Sequence, residues 1–199
     1  MNTKIILLFF LCLLIGCGEN LTITPQEKKQ AQIIGQESST TVLRVMMMKL
    51  MEEIQQGGTV KAAKFCSVHA QELTSQIQEK FTKKITIKRT SQKNRNQKNT
   101  PNNEEKQALK FFVEEIKTKK QAPSHHLVKV RLDDQLFINY YKPLYVAPLC
   151  IQCHGSEVNL KPELKKMLKE KYPNDKAVNF KKGDFRGVLK ISIPVAELK

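Results

Sequence analysis

The chain has 199 residues, 40% of them hydrophobic, and carries 34 Lys and Arg against 19 Asp and Glu, a formal charge of +15. That hydrophobic share is enough to furnish a core, and the length fits one domain with a tail rather than several domains. The basic excess favours acidic partners or anionic lipid headgroups and makes association salt-dependent, whereas no recognition motif for nucleic acid accompanies it, so nucleic acid is not expected as a partner.

In chain order, Lys4 is followed by an apolar stretch from Ile5 to Ile15 that closes on Leu14-Ile15-Gly16-Cys17. The stretch is well short of the roughly 20 residues a membrane-spanning helix needs, and it reads as a signal h-region. Gly16-Cys17 fits a lipobox, in which a small residue precedes the cysteine whose thiol takes a diacylglycerol. Residues 1–17 are therefore expected to be a lipoprotein signal peptide, with 18–24 a short tether and 25–199 a single domain. Lipid on Cys17 would hold the chain to a membrane on the periplasmic side. Gly18 lacks the acidic signal that often retains lipoproteins at the inner membrane, which favours the outer one.

Thr24-Pro25-Gln26-Glu27 reads as a capping box with proline at the first helical position, where its missing N–H is not needed. Ile34, Thr41, Val45, Met48 and Ile54 recur at helical spacing until Gln56-Gly57-Gly58 ends the pattern. Thr59 can cap a second helix, along which Ala62, Cys66, His69, Ala70, Leu73 and Ile77 share one stripe, so Cys66 faces inward. Ile85 and Ile87 alternate with polar residues in a short strand, and Ser91 to Asn103 is a loop too polar to bury. A helix is expected from about Glu104 to Lys117, with Leu109, Phe112 and Ile116 inward. His125-His126 is expected to face solvent just before a strand. Leu127 to Arg131 and Gln135 to Tyr141 flank Asp133-Asp134 as a hairpin. Pro162 opens a short helix, and Leu189, Ile191, Ile193 and Val195 alternate as a last strand. Local strands joined by hairpins and loops predict an α+β domain, an antiparallel sheet with long N-terminal helices packed against it.

The run Cys150-Ile151-Gln152-Cys153-His154 carries the chemistry, because C-x-x-C-H is the signal for covalent c-type haem attachment. Two thiols at that spacing can each add to one vinyl group of the same porphyrin, and the following imidazole can bind iron from the proximal side. A redox dithiol and half a zinc site are the other uses of C-x-x-C, but a four-cysteine zinc site needs a second pair that this chain lacks. Of five cysteines, Cys12 leaves with the signal, Cys17 takes lipid and Cys150 and Cys153 take haem, which leaves Cys66 unassigned.

Tyr141-Lys142-Pro143-Leu144-Tyr145, Cys150 to Gly155, Tyr172-Pro173-Asn174-Asp175-Lys176-Ala177 and Gly183-Asp184-Phe185-Arg186-Gly187 together resemble the c-type haem domain with a PAS-like fold, formerly a domain of unknown function. Lys88-Arg89-Thr90-Ser91, Arg95-Asn96, Asn99, Pro101 and the pair Cys66 and Ala70 also fit its pattern, so the resemblance spans roughly residues 60 to 195. Gln97, Glu104 and Asn179 depart from it, where proline, tryptophan and glycine are usual. The resemblance implies an antiparallel sheet, one haem c joined to Cys150 and Cys153, and Cys66 as the distal iron ligand opposite His154.

Each candidate has a rival use. Cys66 could be a plain buried thiol, and His69, one turn away on nearly the same face, is the alternative distal ligand. Met46, Met47, Met48 and Met51 have the spacing of core packing, and Met167 lies too close in sequence to His154 to reach the far face of a haem easily. Arg89, Arg95 and Arg186 could pair with haem propionates, with at least one of them expected at the solvated surface. A thiolate stabilises ferric iron, so a Cys66/His154 haem would have a low potential and closed coordination. That suits a redox or small-gas sensor that passes its signal to a separate protein. Electron transfer to an acidic redox partner is the alternative, and reduction of peroxide or a nitrogen oxide a third, for which His69 is the one acid–base candidate.

Overall fold

The computed structural model describes residues 21–81 and 84–198, so the expected signal peptide, Cys17 and Gly18 lie outside the described residues. Helix α1 (Pro25–Glu79) starts at the expected capping box: Thr24 Oγ1 accepts from the Glu27 N–H at 3.2 Å, and Glu27 Oε2 accepts from the Thr24 N–H at 2.8 Å. The helix is broken where the glycine pair stands. Gly58 has φ 72°, and nothing lies within 4 Å of where a Cβ would be. Only glycine takes that backbone conformation without cost. Thr59 does not cap the second half; its Oγ1 is buried without a hydrogen-bond partner.

Four strands follow, β1 (Thr86–Thr90), β2 (His126–Leu132), β3 (Gln135–Tyr145) and β4 (Phe185–Pro194), and they form one antiparallel sheet in the order β1-β4-β3-β2. Asp133 and Asp134 both have positive φ, 47° and 60°, the left-handed pair that a two-residue hairpin demands. β3 runs on past Tyr141 because Lys142, Pro143 and Leu144 pair with Leu189, Val188 and Gly187 of β4, ending at an irregularity between Leu144 and Tyr145. The α+β class expected from the sequence is therefore the observed one.

Strand alternation sorts the core into two layers. Ile138, Tyr140, Leu189, Ile191 and Ile193 face α1 and pack with Ala31, Val42 and Ile77. Tyr141 and Val188 point the other way, to Ala108, Leu109 and Phe112 of helix α2 (Asn103–Lys119). Tyr140 reaches across the first layer to donate its hydroxyl to Gln36 Oε1 at 3.1 Å. After β3, a 3-10 turn at Pro148–Cys150 leads into the single turn α3 (Ile151–His154), and helix α4 (Pro162–Lys171) follows. Met167 is buried in α4 with Leu160, Leu164 and Leu168.

Several local expectations are corrected. His125 and His126 are partly buried, His125 stacked on Tyr140 and His126 on Phe111 with centroids 5.2 and 3.9 Å apart. Met48 and Met51 are exposed rather than packed in the core, at 64% and 47%. The polar loop after β1 is not left in solvent: Ser91 and Asn94 are buried, because their polar groups find partners, Ser91 with Arg186 and Asn94 with Asn96 and Thr100. Among the described residues no helix is long and apolar enough to cross a membrane.

Candidate functional site

Both halves of α1, the β1 strand with its following loop, and the segment from Leu144 to Tyr172 surround a cavity of about 330 Å³, within the size range of small-molecule sites. Cys66, Cys150, Cys153 and His154 all line it. Residues 84 to 88 positions apart are thus brought together by the packing of α1 on α3 and α4. Cys66, Cys150 and Cys153 are free thiols.

The C-x-x-C-H run is helical because Pro148 starts a tight turn that α3 continues, so the two thiols three residues apart emerge on one side. Gly155 then ends the helix with its N–H on the Ile151 carbonyl at 2.9 Å. A Cβ at Gly155 would stand 2.6 Å from that same oxygen, which requires glycine after the histidine. Cys153 packs against Leu164 and Met167 together with Val60 and Ala63 of α1, and Cys150 against Val146, Ala177 and Phe180.

His154 is held by one ring nitrogen. Its Nδ1 lies 2.7 Å from the Ala177 carbonyl, and because a carbonyl can only accept, Nδ1 carries the proton and Nε2 keeps a lone pair. Nε2 has no hydrogen-bond partner among the described residues. Burial, helped by the charges of Arg95 and Arg186, pushes the imidazole down to about 3, so it is neutral across the ordinary pH range. A neutral imidazole with Nδ1–H on a carbonyl and Nε2 open is the arrangement that metal-ligating histidines adopt. The donor set therefore fits a haem iron at Nε2 with thioether links at Cys150 and Cys153. Among the described residues no group of three or more His, Cys, Asp or Glu is gathered that could hold a bare metal ion.

Around the turn, Arg95 acts as a clamp. Its Nε donates to Asp175 Oδ2 at 2.8 Å, and its Nη2 to the carbonyls of Cys153 at 2.7 Å and Ala177 at 3.2 Å. Asp175 Oδ1 in turn accepts from the Ala177 N–H at 2.7 Å, which fixes the carbonyl that orients His154. Arg186 is likewise engaged by the protein, with Nη1 on Ser91 Oγ and the Lys93 carbonyl, both 2.9 Å, and its guanidinium over the Phe180 ring. Arg89 differs: it lines the cavity beside Cys66 and Tyr172, yet its guanidinium has no hydrogen bond or ion pair with any described residue. None of the three is the solvated surface residue expected for at least one of them.

Burial pushes the Cys66 thiol up, while the nearby charges of Arg89 and Arg95 pull it back in part. His69 lies elsewhere: its side chain is half exposed, pairs with Glu72 at 3.3 Å and packs on Phe65, and it does not line the cavity. In the sequence Asp175 and Tyr172 carry no signal beyond a shared motif. Asp175 positions the proximal loop, and Tyr172 lines the cavity, its phenol pushed up by burial. The turn-forming Tyr-Pro-Asn-Asp run directly after an amphipathic helix was the available signal.

A family model for Tll0287-like proteins matches residues 20–194. The chain belongs to that family. Its fold is similar to that in the crystal structure of the cyanobacterial heme-protein Tll0287, with a TM-score of 0.55 and 20% identity, covering 86% of this chain and 96% of that one. No curated protein matches the chain.

Proposed function

We propose that this chain is an exported protein, lipid-anchored through Cys17, that holds one haem c and works as a redox or small-gas sensor on the periplasmic side of a bacterial membrane, the outer one by preference. The observation that carries the reading is the meeting of the C-x-x-C-H turn and Cys66 at one cavity, with the His154 Nε2 open toward a ligand. The fold shared with a heme-protein of the same family supports it. A haem there would supply one-electron redox chemistry and an iron able to take a small diatomic ligand.

The chain's own residues then have defined tasks. Cys150 and Cys153 would hold a haem through thioether links, and His154 and Cys66 would ligate its iron, Cys66 as thiolate. Arg95 and Asp175 hold the proximal loop in register. Arg89 offers a charge that no described residue answers, suited to a carboxylate such as a propionate. Release of Cys66 would free the second half of α1 to move, and a PAS-like domain would pass that motion to a partner. Electron transfer is the second reading, favoured by the +15 charge, which would steer an acidic redox protein to the surface.

Expression with c-type maturation machinery tests the assignment: intact mass should rise by one haem, and bare polypeptide would refute it. Cys66→Ala should remove the low-spin thiolate signature of the ferric spectrum, and an unchanged spectrum would reject Cys66 and return attention to His69. Rapid carbon monoxide binding with loss of Cys66 ligation supports the sensor, whereas exclusion in both oxidation states supports the electron carrier. Peroxide turnover would point to an enzyme instead.

A further inference from the structure

The first half of α1 turns a stripe of Leu43, Met46, Met47, Leu50 and Ile54 toward the cavity that holds Cys66 and His154. Two thioethers thus share a wall of the site, and they are not equivalent. Met46 is tied into the core layer between α1 and the sheet. Met47 belongs to none of the core clusters and is 37% exposed while still lining the cavity. It is a flexible, soft donor with no packing duty to hold it in place.

Met47 and Cys66 stand on the two sides of the Gly57-Gly58 break. Gly58 carries no side chain to interlock the halves, and the space beside it is open. Across the break Lys61 of the second half pairs with Glu53 at 3.6 Å and donates to Gln56 Oε1 at 2.6 Å, and Lys49 of the first half lies over the Phe65 ring at 5.6 Å. A shift of the two halves therefore costs these lysine side-chain contacts rather than a packed apolar cluster shared across the joint. Iron chemistry supplies the reason for such a shift: a thiolate favours the ferric ion, whereas a neutral thioether opposite histidine raises the potential by favouring the ferrous one.

We infer that Met47 is a second distal ligand site, whose Sδ replaces the Cys66 thiolate when the bound haem is reduced. The inference rests on the haem reading above. One electron from a one-electron reductant goes to the iron. The Cys66 Sγ–iron bond breaks and the released thiolate takes a proton from solvent. The Met47 Sδ lone pair then forms the new bond, and reoxidation by loss of one electron returns the proton and restores Cys66. The exchange draws the first half of α1 toward the cavity and lets the second half withdraw, so the oxidation state is written into the angle at Gly58.

The matured protein, labelled at its methionine methyl groups and reduced with dithionite, should show by NMR one methionine methyl resonance shifted far upfield by the porphyrin ring current. The ferric protein should lack it. Met47→Leu, close in volume and helix-compatible, should abolish that resonance, lower the reduction potential and speed carbon monoxide binding to the ferrous protein several-fold. Met46→Leu should keep that resonance. A haem-bearing protein whose ferrous form shows no upfield methyl, or one that keeps it in Met47→Leu or loses it in Met46→Leu, overturns the inference alone. A matured protein without haem overturns both this inference and the reading beneath it.

Discussion

Lys88 and Arg89 are neighbours on β1, point to opposite faces of the sheet and meet opposite fates. Lys88 donates to Glu105 Oε2 at 2.7 Å and to the Thr100 carbonyl at 3.1 Å, while Lys190 approaches Glu105 Oε1 at 3.4 Å, so the carboxylate, 1% exposed, is answered on both oxygens. Arg89, on the α1 face, is answered by no described residue. A cationic group inside a fold is costly unless paired. On the α2 face the partner is built into the chain, and the charges serve stability. On the α1 face no described residue supplies a partner, which leaves the charge available to the proposed ligand.

The largest expected effect falls on the closed face. Glu105→Ala leaves two lysines facing a buried void and should cost about 3–5 kcal/mol, as for other broken buried pairs, read from urea unfolding of the haem-free protein. A loss below about 1 kcal/mol would show that the pairing is a surface interaction after all. Next, Asp175→Ala unties Arg95 and the Ala177 loop at once. It should cost about 1.5–3 kcal/mol, the range of a hydrogen bond to a charged group, and reduce covalent haem attachment by the maturation machinery. Normal attachment would mean that the Ala177 carbonyl holds His154 without help.

Acid sharpens the contrast further. Burial pushes the Glu105 carboxyl up, but the Lys88 hydrogen bond, the Asn102 backbone and the lysine charges outweigh it, and the group sits below its usual value of 4.5. A folded value below the unfolded one gives stability that is full above the unfolded pKa and lost as pH falls through the folded one. His154, pushed down to about 3, and His125 and His126, all three depressed chiefly by burial from 6.5, add a loss that begins nearer pH 6.5. Haem-free unfolding midpoints should therefore fall first below about 6.5 and again below about 4.5. Glu105→Gln should remove the second fall, and its persistence would assign that fall to Glu27 and other carboxylates.

The smallest change in stability is expected at Arg89→Leu. Removing an unpaired internal cation should leave the haem-free protein at least as stable as the parent, while the thermal midpoint of the haem-bearing protein drops. A drop of equal size in both forms would put Arg89 on the same footing as Lys88 and end the contrast.

Local signals in the sequence were read where their partners are near in the chain. The Thr24 box, the Gly57-Gly58 break, the Asp133-Asp134 turn and the alternation of Leu189, Ile191 and Ile193 each depend on residues within a few positions. The loop from Ser91 was misjudged because its polar groups are satisfied by Arg186 and by one another, contacts that no local pattern reveals. His125 and His126 failed for the same reason, since the rings they stack on, Tyr140 and Phe111, lie on other elements. Met48 and Met51 failed because helical spacing marks a stripe without saying whether anything covers it.

By itself the sequence determined the main elements and the α+β class and marked where the candidate site lies, because caps, turns, alternation and a C-x-x-C-H turn are written over short distances. Only the tertiary structure decided that Cys66 rather than His69 reaches the cavity, that Asp175 and Arg95 set the His154 tautomer through Ala177, and that Arg89, unlike Arg95 and Arg186, is answered by no described residue. Those outcomes depend on which faces meet when α1 closes over the sheet and α3, and a contact between residues tens of positions apart is decided by packing, not by spacing.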